Sequence, residues 1–180
     1  VFCVDAANTR FEEREKSYKK IASAIAGAVS GRAGNYIVFF PSYKYMSEVK
    51  AEFEKKYPKV FSFSQKANMS YSEKEEFLAN FKEDNGVLRV GFCVLGGSFS
   101  EGVDLPGSRL IGTVIVGVGL PGISNERNIM KDYFDNTREN GYDYAYTYPG
   151  MNRVLQAAGR VIRTENDRGI VVLLDDRYAT

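Results

Sequence analysis

At 180 residues, 44% of them hydrophobic and 26% charged, the chain can bury one core without help from disulfides or metal. A formal net charge of +1 excludes a globally basic nucleic-acid binder, so any phosphate-binding surface has to be local. Histidine is absent, which removes Ser-His-Asp and Cys-His catalysis and leaves carboxylates, hydroxyls, lysines and arginines for chemistry.

No apolar run approaches the roughly 20 residues that span a bilayer. The opening VFCVDAANTRFEERE has neither the basic nor the apolar region of a secretory signal, so an intracellular, cytoplasmic location is expected. The missing initiator Met suggests a piece of a longer chain. Cys3 and Cys93 show no C-x-x-C spacing and read as ordinary buried thiols, with no metal site. No repeat or linker divides the chain, and a single domain over 1–180 is expected, with 1–34 a lead-in segment plus first helix and 35–180 the core.

From Phe11 to Val29 a charged beginning runs into apolar IASAIAGAV, a helix closed near Gly31 and Gly34. NYIVFF follows, a continuous β-branched and aromatic run typical of a strand buried on both faces, and Pro41 stops it. Ser42 is placed to N-cap the next helix, in which Met46, Val49 and Phe53 recur at helical spacing. VFSFSQ reads as a short strand. The next helix, SYSEKEEFLANFKEDNG, offers Ser72 and Glu75 as a capping box. VLRVGFCVL is a third strand and RLIGTVIV a fourth, separated by GGSFSEGVDLPG. A polar helix from Ser124 to Arg138, tyrosine-rich GYDYAYTYPG, a helix opened by Pro149 and a last strand GIVVLL complete the chain. Strands this apolar, alternating with helices, predict an α/β domain: a three-layer arrangement with a mainly parallel sheet covered by helices on both faces.

The final helix carries the sharpest pattern. At about 100° per residue, Gln156, Arg160 and Arg163 share one stripe with Arg153 beside them, while Val154, Leu155, Ala158, Val161 and Ile162 occupy the opposite, buried arc. Gly159 within that helix suggests a close approach. The arginines are expected near the carboxyl edge of the sheet, where open α/β sheets place ligands. QAAGRVIR and the trailing TENDRGIVVLLDDRY closely resemble the last motif of XPD/DinG-type superfamily two helicases. The resemblance implies a RecA-like second motor domain in which Arg160 and Arg163 reach the γ-phosphate of ATP bound by a different RecA-like domain, with Gln156 ordering the site. A guanidinium aimed at a transferring phosphoryl group is worth about 10³ to 10⁵ in rate.

GGSFSEGVDLPG resembles the same family's S-E-G-x-D motif. That resemblance places Glu101, Gly102 and Asp104 by the nucleotide and makes Ser98 and Ser100 candidates for the nucleic-acid backbone. YIVFFPSYKYM resembles its strand-to-helix motif, in which Ser42 and Tyr43 face nucleic acid. Asp175 and Asp176 at the end of the last strand read as a turn, with a weak ion contact as the alternative. The pattern Gly117-x-Gly119-x-x-Gly122 after a strand mimics a dinucleotide loop, but three strands precede it and no acid closes the next strand at the required distance, so a sharp turn is the better reading. The chain has no P-loop and no Mg²⁺-binding acid pair, and the family's four-cysteine iron-sulfur site has no counterpart. The expected function is therefore one half of an ATP-dependent DNA helicase. ATP and Mg²⁺ would be held mainly by a first RecA-like domain, single-stranded or duplex DNA would be the partner, and this segment alone would be inactive. The alternative is a non-catalytic nucleic-acid or protein-binding module on the same fold.

Overall fold

The computed structural model describes residues 1–5, 7–83, 86–101, 105–137, 139–162, 165 and 167–178. Six strands, β1 (Phe2–Val4), β2 (Asn35–Phe40), β3 (Phe61–Ser64), β4 (Arg89–Val94), β5 (Gly112–Val116) and β6 (Ile170–Leu174), form one sheet in the order β1-β6-β5-β2-β4-β3. Every neighbouring pair is parallel. Parallel neighbours need crossovers, and the crossovers bring helices onto both faces.

The alternation of side chains along β2 feeds two cores. Tyr36, Val38 and Phe40 pack with Ile21, Ile25, Val49 and Phe53 from α1 (Arg14–Val29) and α2 (Tyr43–Lys56). Ile37 and Phe39 pack with Phe77 of α3 (Tyr71–Ala79), Phe99 of the short α4 (Ser98–Glu101) and Val154 and Ala157 of α6 (Tyr148–Ala158). All six residues of β2 are buried, as its unbroken apolar run predicts. Between β5 and α6 lies α5 (Asn125–Asn136), none of whose residues is buried.

Several expectations shift in position. The α3 capping box is Ser70 with Glu73, not Ser72 with Glu75: Ser70 is extended and its hydroxyl accepts from the Glu73 N–H. The sequence holds both S-x-x-E frames, and the apolar phase of Phe77 decides between them. Pro149 does not open its helix. The chain is already helical at Gly141, passes through a π-helical turn at Asp143–Thr147 and enters α6 at Tyr148. Contacts to α5 hold that turn: Tyr144 stacks on Phe134 with centroids 4.0 Å apart, and Arg127 Nη1 donates to the Ala145 carbonyl at 2.8 Å. Strand β1 has no counterpart in the sequence reading. It is three residues long, and Cys3 on it is exposed rather than buried, because β1 is an edge strand paired only with β6. Cys93 is buried as expected.

With every strand pointing the same way, one edge of the sheet collects all the carboxyl ends: Asp5, Pro41, Gln65, Leu95, Gly117 and Asp175 each follow a strand there. Helix α6 runs between the two edges. Gly150 near its start lies so close to the Val118 carbonyl that a Cβ would sit 2.8 Å away, at the carboxyl edge. Val161, past its end, packs on Gly169, which abuts the Ile111 carbonyl at the amino edge.

Candidate functional site

At the carboxyl edge, Ser42 is extended and caps α2, its hydroxyl accepting from the Tyr45 N–H. This places Ser42 and Tyr43 just beyond the end of β2. The Tyr43 hydroxyl accepts from Gln65 Nε2 at 2.9 Å, and Gln65 Oε1 in turn accepts from the Val94 N–H at 3.0 Å. Buried Gln65 thereby fixes Tyr43 to the ends of two strands, a role the sequence reading did not assign; Gln closing an apolar strand was its only signal. Burial pushes the Tyr43 phenol above its ordinary value, so it stays protonated at neutral pH.

In the loop after β4, Ser98 is exposed and available at the surface. Ser100 is different: it is fully buried and its hydroxyl donates to the Gly97 carbonyl at 2.9 Å, a bond that stabilises the turn. Glu101 closes the short helix α4, while Gly102 and Asp104 lie outside the described residues.

The Gln-Arg stripe sits elsewhere than expected. Helix α6 ends at Ala158 and Gly159 is its cap, with right-handed backbone angles, so Gly159 marks a terminus and not a close approach within the helix. Gln156 is exposed, and Arg160 Nε donates to the Gln156 carbonyl at 3.2 Å. Arg163 lies outside the described residues. Because α6 runs antiparallel to the strands, this end of it lies at the amino edge, beside Gly169 and Ile111. That overturns the expected position at the carboxyl edge. The rule behind the expectation concerns ligands held by a domain's own sheet; a side chain offered to a neighbouring domain is not bound by it. The buried arc is also narrower than the periodicity suggests: Val154, Ala157 and Val161 face the sheet, whereas Leu155 is 63% and Ile162 46% exposed. Arg153, one turn earlier, lies against Gly96 and points Nη1 at the Gly119 carbonyl, 3.5 Å away, at the carboxyl edge.

The loop at Gly117 is not a dinucleotide cradle. Its helix begins only at Asn125 with Ser124 as cap, so the glycines do not open a helix N-terminus. Gly117 and Gly119 adopt φ of +81° and +63°, and a Cβ on Gly119 would meet the Gly150 carbonyl at 2.9 Å. Turning sharply off β5 and letting α6 pack close are sufficient reasons for glycine there.

Asp175 and Asp176 combine the expected turn with its alternative, an ion contact. They enter a short 3-10 turn, Asp176–Tyr178, but both carboxylates are ion-paired. Asp175 is fully buried; Arg177 donates to it through Nε at 2.6 Å, Nη2 at 2.8 Å and its backbone N–H at 2.9 Å, and the Thr9 hydroxyl donates as well. Burial pushes the Asp175 carboxyl up, but these donors outweigh it and hold it below the ordinary aspartate range. Asp176 pairs with Arg10 at 2.6 Å, and the Tyr178 hydroxyl donates to the Gly117 carbonyl at 2.9 Å. The segment before α1 is thus tied to the end of β6 and the loop after β5. Among the described residues no cluster of three or more Cys, Asp or Glu side chains could hold a metal, and no helix is long and apolar enough to cross a membrane.

A wholly parallel sheet sandwiched by helices, with polar surfaces at both edges, defines an α/β domain of the RecA-like class. The solved structure of an XPD helicase superposes on 99% of this chain and 32% of its own with a TM-score of 0.78 at 21% identity; an apo XPD structure does so over 99% and 36% with a TM-score of 0.79 at 22% identity. A probable ATP-dependent helicase of Methanocaldococcus jannaschii is 31% identical over 193 residues, 97% of this chain and 28% of that protein. A regulator of telomere elongation helicase 1 homolog of Caenorhabditis elegans is 28% identical over 189 residues, 89% of this chain and 18% of that protein. The model of the helicase C-terminal domain family matches residues 25–180, and the chain belongs to that family. It spans less than a third of the length of either curated relative.

Proposed function

We propose that the chain is the second motor domain of an ATP-dependent DNA helicase, completing the hydrolysis of ATP held by a first RecA-like domain outside this sequence and gripping a single strand of DNA. The observation that carries this reading is the separation of two polar surfaces along one rigid helix. At the amino edge, Gln156 and Arg160 occupy the end of α6; at the carboxyl edge, Ser42, Tyr43 and Ser98 lie beyond the strands, on the same side as the start of α6. The 11 residues of α6 span about 16 Å between them.

The residues present suit a nucleotide supplied from outside. Guanidinium and carboxamide groups recognise phosphate oxygens, and the half-buried Arg160, just past the end of α6, is anchored through Nε to the last turn of that helix, which orients the planar group. Bound ATP-Mg²⁺ supplies the γ-phosphoryl group and the free energy of its transfer. Arg160 and Arg163 neutralise the charge that builds on the equatorial oxygens, and Gln156 orders the groups around them. Glu101, Gly102 and Asp104, between the two edges in sequence, are assigned to the same nucleotide-facing surface. At the other edge, Ser42 and Ser98 hydroxyls and the Tyr43 ring take the sugar-phosphate backbone. Work is possible because ATP favours the closed pair of domains and its products do not.

The test is made in the parent chain. Arg160→Ala should lower ATP turnover by about 10³-fold or more, since a phosphoryl-directed arginine is worth about that, with thermal unfolding unchanged; turnover within threefold of wild type would refute the assignment. The isolated 180-residue chain should hydrolyse ATP no faster than buffer, and sustained turnover from pure material would refute the division of labour.

A further inference from the structure

An open hollow of about 460 Å³ lies at the carboxyl edge, formed by the segment before α1 on one side and the loop Gly117–Ile123 on the other. Its volume falls in the range that holds a nucleotide-sized ligand. Three of its walls are cationic, Arg10, Arg14 and Arg177, and no carboxylate of the described residues lines it. Two of these arginines are already engaged: Arg10 with Asp176 and Arg177 with Asp175. Arg14 is not. Its Nε donates to the Thr9 carbonyl at 3.1 Å and its guanidinium lies over the Tyr45 ring, but no acid pairs with it among the described residues. Burial pushes the Arg14 guanidinium below its ordinary value, and nearby Arg177 adds to the shift.

At the mouth stands Phe11, 82% exposed, with the Arg14 guanidinium 5.5 Å from its ring centroid. The ring is free to offer a flat apolar face to a planar ligand beside the arginine. A second hollow continues from Phe11 and Arg14 to Ser42 and Lys44 at the start of α2. Glu12 and Glu15 border that one, so an anion belongs in the first.

The geometry points to a single-nucleotide subsite on a nucleic-acid single strand: a backbone phosphate seated against Arg14, and the adjoining base stacked on Phe11. The site rests on the nucleic-acid reading above and extends its track from Ser42 and Tyr43 across α1 to the loop after β5. The arrangement joins the two contacts that sequence-independent strand binding needs, a cation for the backbone and an aromatic face for any base. It also gives the Gly117–Gly122 turn a role, as the wall that keeps the hollow open on the side away from α1.

The full-length parent protein is titrated with fluorescent oligo(dT) and, in a parallel arm, oligo(rU), over a range of salt. Phe11→Ala should weaken binding about 5- to 100-fold with the salt slope unchanged, the effect of one lost stacking contact, and Phe11→Trp should restore it. Arg14→Gln should reduce the slope of log affinity against log salt by about 0.7, the signature of one lost phosphate contact on a single strand. Loss in both arms or in one supports the site and identifies the sugar. Wild-type affinity and slope in both variants, with ATP turnover still stimulated by single strands, would overturn the subsite and leave the motor reading standing. A wild-type protein that neither binds strands nor is stimulated by them would overturn both.

Discussion

Replacing Asp175 by alanine tests the claim that the end of β6 is held by a buried ion pair and not by a turn alone. The carboxylate is fully buried and satisfies three donors of Arg177 and the Thr9 hydroxyl. Its loss takes from the Arg177 guanidinium the carboxylate it pairs with, and at 27% exposure that guanidinium is only partly rehydrated. Breaking a buried pair from one side costs about 3–5 kcal/mol, and the partial exposure of Arg177 puts the expectation at the lower end, near 3. For a domain of this size that corresponds to a fall in Tm of about 6–12 °C. The pH dependence has a fixed sign. The folded carboxyl titrates below its unfolded value, so the stabilisation is whole above about pH 4 and is lost as pH falls through the folded pKa. Urea unfolding of the 180-residue chain and its Asp175→Ala variant at pH 7 and pH 3 reads both quantities, and the penalty should shrink at the lower pH. A difference below about 1 kcal/mol at pH 7, where a buried pair should cost several times more, or a penalty that grows toward acid, would show that the pair is not what holds this edge.

Three further outcomes follow from packing and capping. Gly91→Ala places a methyl 2.6 Å from Phe81 Cζ and 3.2 Å from the Phe63 ring, and should cost about 1–3 kcal/mol in urea unfolding; a neutral result would mean the aromatic cluster gives way freely. Ser70→Ala should cost about 1 kcal/mol and Ser72→Ala less than half of that, so equal penalties would return the α3 cap to an open question of frame. In the native chain, iodoacetamide should label exposed Cys3 and spare Cys93, whose thiol burial pushes well above its ordinary value; native labelling of Cys93, read by peptide mass, would contradict the packing around β4.

Much of the molecule was written locally. The unbroken run of β2, the Ser42 cap, the Met46-Val49-Phe53 stripe of α2 and the family motif around Gln156 each depend on residues within a few positions of one another. Side-chain period and capping chemistry act at that range, so they are readable without the fold. The same is true of the α/β class, because strands too apolar for one wet face require cover on both.

What only the tertiary structure decided depends on partners distant in sequence. The pairing of Asp175 with Thr9 joins residues 166 positions apart, and nothing near either one announces it. Strand β1 exists because β6 offers it a free edge, not because three residues prefer to be extended. The position of the Gln156 and Arg160 face followed from the direction in which α6 crosses the sheet, a consequence of parallel connection that helical periodicity cannot express. Periodicity says which residues share a face; only the crossing says at which end of the sheet that face comes to rest.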